Sequence, residues 1–285
     1  MVRERRMKTM ITLGLCCRDV EGLDLEQQFE QAARLGFANV QIAMWRMEHL
    51  TPEHAHETKR LLEKYGLRCT EIWCGWTRPA YWDFRSGPSC LGLVPSEYRF
   101  QRLQDLLKGA AYARELGITD VITHLGFIPQ DPTDHNYVGL IHALKHLTAE
   151  LKKYDQFFSF ETGQETPLVV RRCIEDVGAD NLGVNYDPGN LLIYGNGNPV
   201  DGLDLLGGYV RSVHAKDATY PTSGYTPGEE KVMGEGQVDM KAFVEKLRRL
   251  GFDRVMSIEH ERKGLSMEQK EQEIAHAKKY LEALL

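Results

Sequence analysis

In the segment Arg249-Leu-Gly-Phe-Asp-Arg-Val-Met-Ser-Ile-Glu259, the end of a charged helical run is followed by a glycine and then by a short apolar stretch. Glycine readily adopts the left-handed conformation that closes a helix, so this order predicts a helix, a cap and a strand. The same order recurs around Gly36, Gly66, Gly117 and Gly178. The repeated unit is therefore a helix followed by a strand.

Eight strands are predicted once three further apolar stretches are added to the five that follow these glycines. They lie at Ile11–Cys16, Phe37–Ala43, Leu67–Trp73, Ile118–His124, Phe157–Glu161, Leu182–Asp187, Tyr209–His214 and Phe252–Glu259. Helices are predicted at Leu25–Leu35, Pro52–Tyr65, Ser96–Leu116, Tyr137–Tyr154, Pro167–Val177, Val200–Leu206, Met240–Leu250 and Met267–Leu284. Of these, Val200–Leu206 has the weakest helical pattern.

This alternation predicts a (β/α)8 TIM barrel, which is an α/β fold. The 285 residues allow about 36 for each strand and helix, a length that fits the barrel. A doubly wound open sheet is the alternative, but it requires a glycine-rich phosphate turn after its first strand, and Cys16–Val20 contains no glycine. Because no linker or shift of composition divides the chain, we expect residues 1–285 to form a single domain.

The composition excludes several classes of protein. With 42% hydrophobic and 27% charged residues, the chain is typical of a globular domain that buries a full core. A net charge of −6 disfavours a nucleic-acid partner, whose phosphates call for basic side chains, and favours a small-molecule substrate. No apolar run approaches the roughly 20 residues of a membrane helix.

The cysteines and the N-terminus indicate a cytoplasmic protein. The six cysteines show neither a C-x-x-C motif nor zinc-finger spacing, which favours reduced thiols. The basic segment Met1–Met10 leads into a short apolar run without a small-residue cleavage site, which argues against a secretory signal.

Four predicted strands in succession end in a side chain that can bind a metal ion: Glu161, Asp187, His214 and Glu259. One such residue alone is usually solvated or caps a helix, but in a barrel the carboxyl ends of all strands meet at one face. Three carboxylates brought together there raise one another's pKa unless a cation compensates them. Oxygen ligands with one nitrogen favour a single divalent ion, Mn²⁺ first, with Mg²⁺, Co²⁺ and catalytic Zn²⁺ left open.

Two basic side chains are candidate substrate contacts at the same face. His124 ends the fourth predicted strand and could bond a substrate hydroxyl or a neighbouring backbone group. Lys216 lies two residues after His214 and has the same facing, so it could stabilise an enolate oxygen. A salt bridge to Glu235 or Asp217 is the structural alternative for this lysine.

The remaining candidate substrate contacts are aromatic or polar residues near strand ends: Trp45, Glu71, Trp76 and Asn190. Each could equally serve packing or loop structure. Glu261 shares the facing of Glu259 and is the alternative metal ligand, with Glu259 preferred. The irregular segments Trp76–Pro95 and Tyr220–Met233 are candidate lids over the barrel mouth.

Five segments follow one another in an order that is specific as a set. They are Phe160-Glu-Thr-Gly163, Gly183-Val-Asn-Tyr-Asp-Pro-Gly-Asn190, Ser212-Val-His-Ala-Lys-Asp217, Gly234-Glu-Gly-Gln-Val-Asp239 and Ser257-Ile-Glu-His-Glu261. Over nearly the whole chain they resemble the xylose isomerase-like TIM-barrel superfamily, in its sugar phosphate isomerase/epimerase group. The resemblance implies that Glu161, Asp187, His214 and Glu259 bind one divalent metal and that the two glutamates also act as acid and base.

Two departures from better-defined members narrow the expectation. D-tagatose and D-psicose 3-epimerases have a histidine and an arginine where this chain has Asn190 and Tyr220, which disfavours a simple epimerase of free ketohexoses. Endonuclease IV, a DNA-repair enzyme on the same fold, needs more histidines for three zinc ions, so Asn190 and the acidic charge argue against it.

The resemblance therefore predicts a metal-dependent isomerase or epimerase of a sugar, sugar phosphate or keto-polyol. One glutamate would remove a proton next to a carbonyl, giving an enediolate, and the other would return it. The alternatives are a lyase or dehydratase acting on a keto-sugar or inosose, keto-glycoside elimination included, and, less favoured, a non-catalytic sugar-binding barrel. The sequence leaves open whether the chain forms a homo-oligomer.

Overall fold

The computed structural model describes residues 10–285, so most of the basic segment Met1–Met10 lies outside the described residues. Its strands are β1 (Thr12–Asp19), β2 (Asn39–Met44), β3 (Arg68–Cys74), β4 (Asp120–Thr123), β5 (Phe157–Glu161), β6 (Leu182–Tyr186), β7 (Val210–Ala215), β8 (Asp217–Ala218), β9 (Glu230–Lys231) and β10 (Val255–Ile258). Eight of them form a closed parallel barrel in the order β1-β2-β3-β4-β5-β6-β7-β10, and β8 pairs with β9 outside it. The TIM barrel that the sequence predicts is confirmed.

Helices cover the outside of the barrel. They are α1 (Leu25–Arg34), α2 (Pro52–Lys64), α3 (Ser96–Glu115), α4 (His135–Lys152), α5 (Pro167–Val177), α6 (Pro188–Ile193), α7 (Pro199–Leu206), α8 (Met240–Arg249) and α9 (Met267–Glu282). Local signals set their ends: Thr166 caps the start of α5 through its side chain, and Gly178, at φ 66°, closes it in the left-handed conformation. Among residues 10–285, no helix has the length and apolarity that a membrane crossing requires.

The connection between β6 and β7 differs from the prediction. The sequence indicated one weak helix at Val200–Leu206, whereas the structure has α6 as well as α7. The start Pro-Gly-Asn has poor helix propensity, but the Asp187 side chain accepts a hydrogen bond of 2.8 Å from Asn190 N and caps the six-residue helix. This short helix places Asn190 beside the end of β5.

Asp217 organises the segment that follows β9. Its buried carboxylate accepts hydrogen bonds from Gly234 N at 3.0 Å, Gly236 N at 2.9 Å and Val238 N at 3.1 Å. A Cβ on Gly236 would lie 2.1 Å from Asp217 Oδ1, so only glycine allows this approach. The loop Tyr220–Met233, predicted as a lid, is thus fastened at its C-terminal side.

Candidate metal centre

Four strand-end side chains meet at one end of the barrel. Glu161 ends β5, Asp187 follows β6, His214 lies in β7 and Glu259 follows β10. One ligand atom of each lies within 4.8 Å of those of the other three. The structure therefore brings together the four residues that the sequence singled out as metal ligands.

His214 lies at the centre of the group. Its Nδ1 is 3.0 Å from Glu161 Oε1, 3.2 Å from Glu259 Oε2 and 3.8 Å from Asp187 Oδ2. Its Nε2 is 2.7 Å from Gln41 Oε1, which can only accept a hydrogen bond. Gln41 thus fixes the proton on Nε2 and directs Nδ1 towards the three carboxylates, the arrangement expected of a metal-ligating imidazole.

The carboxylate oxygens of this group fit a bound cation. Asp187 Oδ2 and Glu259 Oε2 are buried and have no partner in hydrogen-bond geometry among residues 10–285. Buried carboxylates are costly unless cations lie against them, and Lys216 Nζ, at 2.6 Å from Glu259 Oε2 and 3.3 Å from Asp187 Oδ2, is one positive charge beside three carboxylates. Three carboxylates and one imidazole are suitable donors for a divalent ion.

Burial and charge shift the pKa values of the group in different directions. Burial raises the pKa of Asp187 to about 7, against the opposing effect of Lys216. Burial acts in the same sense on Glu259, but the positive charges of Lys216 and His214 hold its pKa well below its usual value. Burial lowers the pKa of His214, yet Glu259 and Glu161 outweigh it and raise the pKa well above 6.5. The carboxylates thus hold a proton on His214 that a metal ion would replace.

Glu161 is held by neighbours on both of its oxygens. Trp73 Nε1 donates to Oε2 at 2.6 Å, and Asn190 Nδ2 donates to Oε1 at 2.9 Å. His124 Nε2 lies 3.4 Å from Oε2, while His124 Nδ1 is buried without a partner. Burial lowers the pKa of His124, which favours the neutral ring. Glu161 is therefore more constrained than Glu259.

Lys216 lies below the candidate ligands rather than in open space. Its side chain is 1% exposed, and its Nζ is 2.6 Å from Glu259 Oε2 and 3.3 Å from Asp187 Oδ2. The partners of this lysine are these carboxylates and Glu261, whereas the sequence had suggested Glu235 or Asp217 as its salt bridge.

A cavity of about 400 Å³ opens beside this group, and Glu161 and Glu259 are the members that line it. Its lining includes the expected residues Trp45, His124, Asn190, Glu161 and Glu259. It also includes residues absent from the predicted site, namely Arg18, Arg78, Tyr194 and Lys263, which belong to loops or strand ends without a distinctive motif. Inward-facing Gln41 was likewise missed, although a polar amide between the apolar residues Val40 and Ile42 was a usable signal.

Glu71, Trp76 and Lys216 do not line this cavity, although the sequence suggested them as substrate contacts. Glu71 lies in the middle of β3, three residues before its end, and burial raises its pKa to about 7. Trp76 is 2% exposed and packs with Trp73, Cys90, Leu91 and Ile122 in a small apolar cluster. Glu261, the alternative ligand, lies outside the four-residue group and pairs with Arg18 at 3.2 Å.

Tryptophans form one wall of the cavity. The ring of Trp45 lies 5.0 Å from that of Trp73, 5.2 Å from that of Trp76 and 6.3 Å from that of Trp82, measured between centroids. The guanidinium of Arg78 lies 4.9 Å from the Trp45 ring. Such flat apolar faces suit the C–H surface of a sugar ring.

Arg102 of α3 fastens the base of the predicted lid Trp76–Pro95. Its guanidinium is buried and donates 2.7 Å hydrogen bonds to the carbonyl oxygens of Pro79, Cys90 and Gly92. Burial lowers its pKa to about 10. The tip is more exposed, with Tyr81 57% and Trp82 37% accessible. The segment is therefore fixed at its base and open at its tip.

A second group of possible ligands, Asp19, His49 and His54, fits a cation less well. The Arg46 guanidinium already pairs with Asp19, whose other oxygen is 2.9 Å from His49 Nδ1. Because the carboxylate charge is compensated by arginine, this group favours a structural role.

Comparison with known proteins identifies the family to which this fold belongs. A xylose isomerase domain protein from Planctomyces limnophilus is 30% identical, with a TM-score of 0.90 over 96% of this chain and 97% of that chain. An uncharacterized protein from Methanocaldococcus jannaschii is 30% identical over 171 residues. The match covers 55% of this chain and 55% of the relative, so the chain spans about half the length of this curated relative.

A D-psicose 3-epimerase from Clostridium cellulolyticum H10, crystallised with D-tagatose, shares the fold, with a TM-score of 0.71, 14% identity and coverage of 96% of this chain and 99% of that chain. The sequence model of the xylose isomerase-like TIM barrel matches residues 29–284. The chain therefore belongs to the xylose isomerase-like TIM-barrel family.

Proposed function

We propose that this protein is a divalent-metal-dependent isomerase or epimerase that acts on a carbohydrate or keto-polyol. The observation that carries the proposal is the group Glu161, Asp187, His214 and Glu259, two of whose members, Glu161 and Glu259, line a cavity of about 400 Å³. Family membership supports an enzyme of this kind. Mn²⁺ is the ion that we propose first, because the ligand set is rich in oxygen with one nitrogen.

A divalent ion in this position would polarise a substrate carbonyl and so acidify the neighbouring C–H bond. Glu259 is the better base of the two glutamates, since its side chain is 14% exposed and lines the cavity. Its depressed pKa keeps it ionised, which is the form that a general base requires, although the same shift weakens its affinity for a proton. Glu161 is 2% exposed, and each of its oxygens already accepts a hydrogen bond. Its main role would therefore be to bind the ion on the side of the group that lines the cavity.

His124 is suited to orient a substrate hydroxyl. Its Nε2 faces Glu161, which leaves Nδ1 as a buried acceptor without a partner in a residue that lines the cavity. A hydroxyl hydrogen-bonded to Nδ1 would satisfy that atom. Delivery of a proton by Glu161 to the opposite face of the same carbon would give an epimer, and return of the proton to the neighbouring carbon would give the aldose–ketose isomer.

A lyase is the second candidate, and the size of the cavity favours it. A volume of about 400 Å³ beside a tryptophan wall leaves room for a leaving group next to a sugar ring. The first step would be the same removal of a carbon-bound proton by Glu259. The electron pair would then expel a β-hydroxyl or a glycosidic oxygen instead of accepting a proton.

Incubation in D₂O with ketoses, inososes and 3-keto-glycosides, followed by NMR and mass spectrometry, tests both candidates. An isomerase or epimerase gives a product of unchanged carbon formula with deuterium at the reacting carbon, whereas a lyase gives an unsaturated carbonyl compound. Loss of a general base costs about 10²–10⁴ in rate, so we expect E259Q to lose that much with metal still bound. Exchange and turnover that survive E259Q and E161Q would refute the assignment of the glutamates.

A further inference from the structure

Lys216 shares its carboxylate partners with the candidate metal ion. Its Nζ is 2.6 Å from Glu259 Oε2 and 3.3 Å from Asp187 Oδ2. These are the two buried oxygens that lack a hydrogen-bond partner and that an ion would use. An ammonium group and a metal ion would therefore compete for the same negative charge.

The hydrogen bonds of Lys216 go to atoms outside the ligand group. Nζ donates to Asn190 Oδ1 at 3.1 Å and to Glu261 Oε2 at 3.1 Å. The aliphatic stem packs against the turn after β6, where a Cβ on Gly189 would lie 2.7 Å from Lys216 Cγ. The lysine is thus held beside the ligands by its stem and by two partners that do not bind the ion.

The charges balance only when Lys216 is counted. The ligands Glu161, Asp187 and Glu259 carry three negative charges, of which a divalent ion would compensate two. Lys216 compensates the third, while Glu261 is also paired with Arg18 at 3.2 Å. In a site with a low local dielectric, each uncompensated charge strongly changes the affinity for an ion.

We infer that Lys216 is a fixed counter-charge that limits the affinity of the centre for cations and matches it to a divalent ion. The inference rests on the metal site of the proposed function. It assigns the lysine to the metal centre, where the sequence had suggested contact with the substrate.

Titration of metal-free protein with Mn²⁺ by isothermal calorimetry tests the inference without any substrate. We expect K216Q to bind Mn²⁺ at least about tenfold more tightly than the wild type, because the competing charge is gone. The gain should be larger for Tb³⁺, since the Coulomb energy scales with the charge of the ion. K216R, which keeps the charge, should stay closer to the wild type than K216Q does.

A surface variant gives a change of opposite sign. Glu261 is 45% exposed at its side chain and draws Lys216 away from the ligands, so E261Q should weaken Mn²⁺ binding, by up to about fivefold. In the K216Q background, E261Q should have no effect, because its influence passes through the lysine. If E261Q still weakens binding in that background, Glu261 acts on the ion directly and the inference fails.

The matched control is K152Q, which removes the charge of an exposed lysine of α4 that pairs with Asp180. It should leave the Mn²⁺ affinity unchanged. If K152Q bound Mn²⁺ as much more tightly as K216Q does, the gain would come from the net charge of the protein and not from the position of Lys216. Unchanged or weaker binding by K216Q, with normal binding by the wild type, overturns the inference alone. A wild type that binds no Mn²⁺ overturns the proposed function together with it.

Discussion

Replacing Arg102 should release the segment Trp76–Pro95 and destabilise the protein. The guanidinium is 1% exposed and donates three hydrogen bonds of 2.7 Å to the backbone carbonyls of Pro79, Cys90 and Gly92. Hydrogen bonds to charged groups contribute about 1.5–3 kcal/mol each, and the buried carbonyls would be left unpaired. The cost of burying the cation offsets part of this, so we expect R102M to lower the free energy of unfolding by about 3–5 kcal/mol.

R102K separates charge from geometry at the same position. The planar fork of arginine reaches three carbonyls from fixed directions, whereas an ammonium group cannot match all three. We expect R102K to lose about 2 kcal/mol, the equivalent of one or two of these hydrogen bonds. R60K is the control, because Arg60 is exposed and pairs with exposed Glu57, and its effect should stay within about 0.5 kcal/mol.

Urea unfolding followed by circular dichroism gives the loss in free energy, and hydrogen exchange with mass spectrometry locates it. Amides of the segment Trp76–Pro95 should exchange faster in R102M and R102K, while those of β5 to β7 should stay protected. If R102M unfolds within about 0.5 kcal/mol of the wild type and the segment keeps its protection, the arginine does not fasten the segment.

Three further outcomes are expected. Mn²⁺ should bind more weakly as the pH falls, because the raised pKa of His214 keeps a proton on the ring that the ion must displace, and calorimetry in buffers of different ionisation enthalpy should detect its release. Q41L should weaken Mn²⁺ binding by about 10–100-fold through loss of the hydrogen bond that orients His214, and an unchanged dissociation constant would contradict this. D217N should lower the free energy of unfolding by about 3 kcal/mol, since Gly234 N and Gly236 N donate to one carboxylate oxygen and Val238 N to the other, and the NH₂ group of an amide cannot accept; thermal denaturation measures the loss.

The strand order and the ligand group could be predicted because they follow from periodicity and from the geometry of a barrel. A glycine between a helix and an apolar stretch marks the start of the next strand. In a barrel, residues at the strand ends, such as Glu161 and Asp187, then meet at one face. The lengths of the strands were less predictable. Strand β1 continues to Asp19, beyond the predicted Cys16, because its pairing with β2 extends that far.

Features that depend on tertiary contacts could not be predicted. Burial of Lys216 under the carboxylates is invisible in a sequence that shows only its spacing from His214. Helix α6 depends on one cap from Asp187, which outweighs a weak propensity over six residues. Glu71 was expected to contact the substrate, but it lies inside β3, three residues before the strand ends at Cys74.

The tryptophans beside the cavity allow intrinsic fluorescence to report on binding there. The sequence contains four tryptophans, of which Trp45, Trp73 and Trp82 line the cavity and Trp76 packs against these three rings. Indole emission from the whole protein therefore arises within a few ångströms of the cavity, and Trp73 is bonded directly to Glu161. Titration of unlabelled protein with an ion or a sugar, followed by intrinsic fluorescence, thus monitors the site with no background from tryptophans elsewhere.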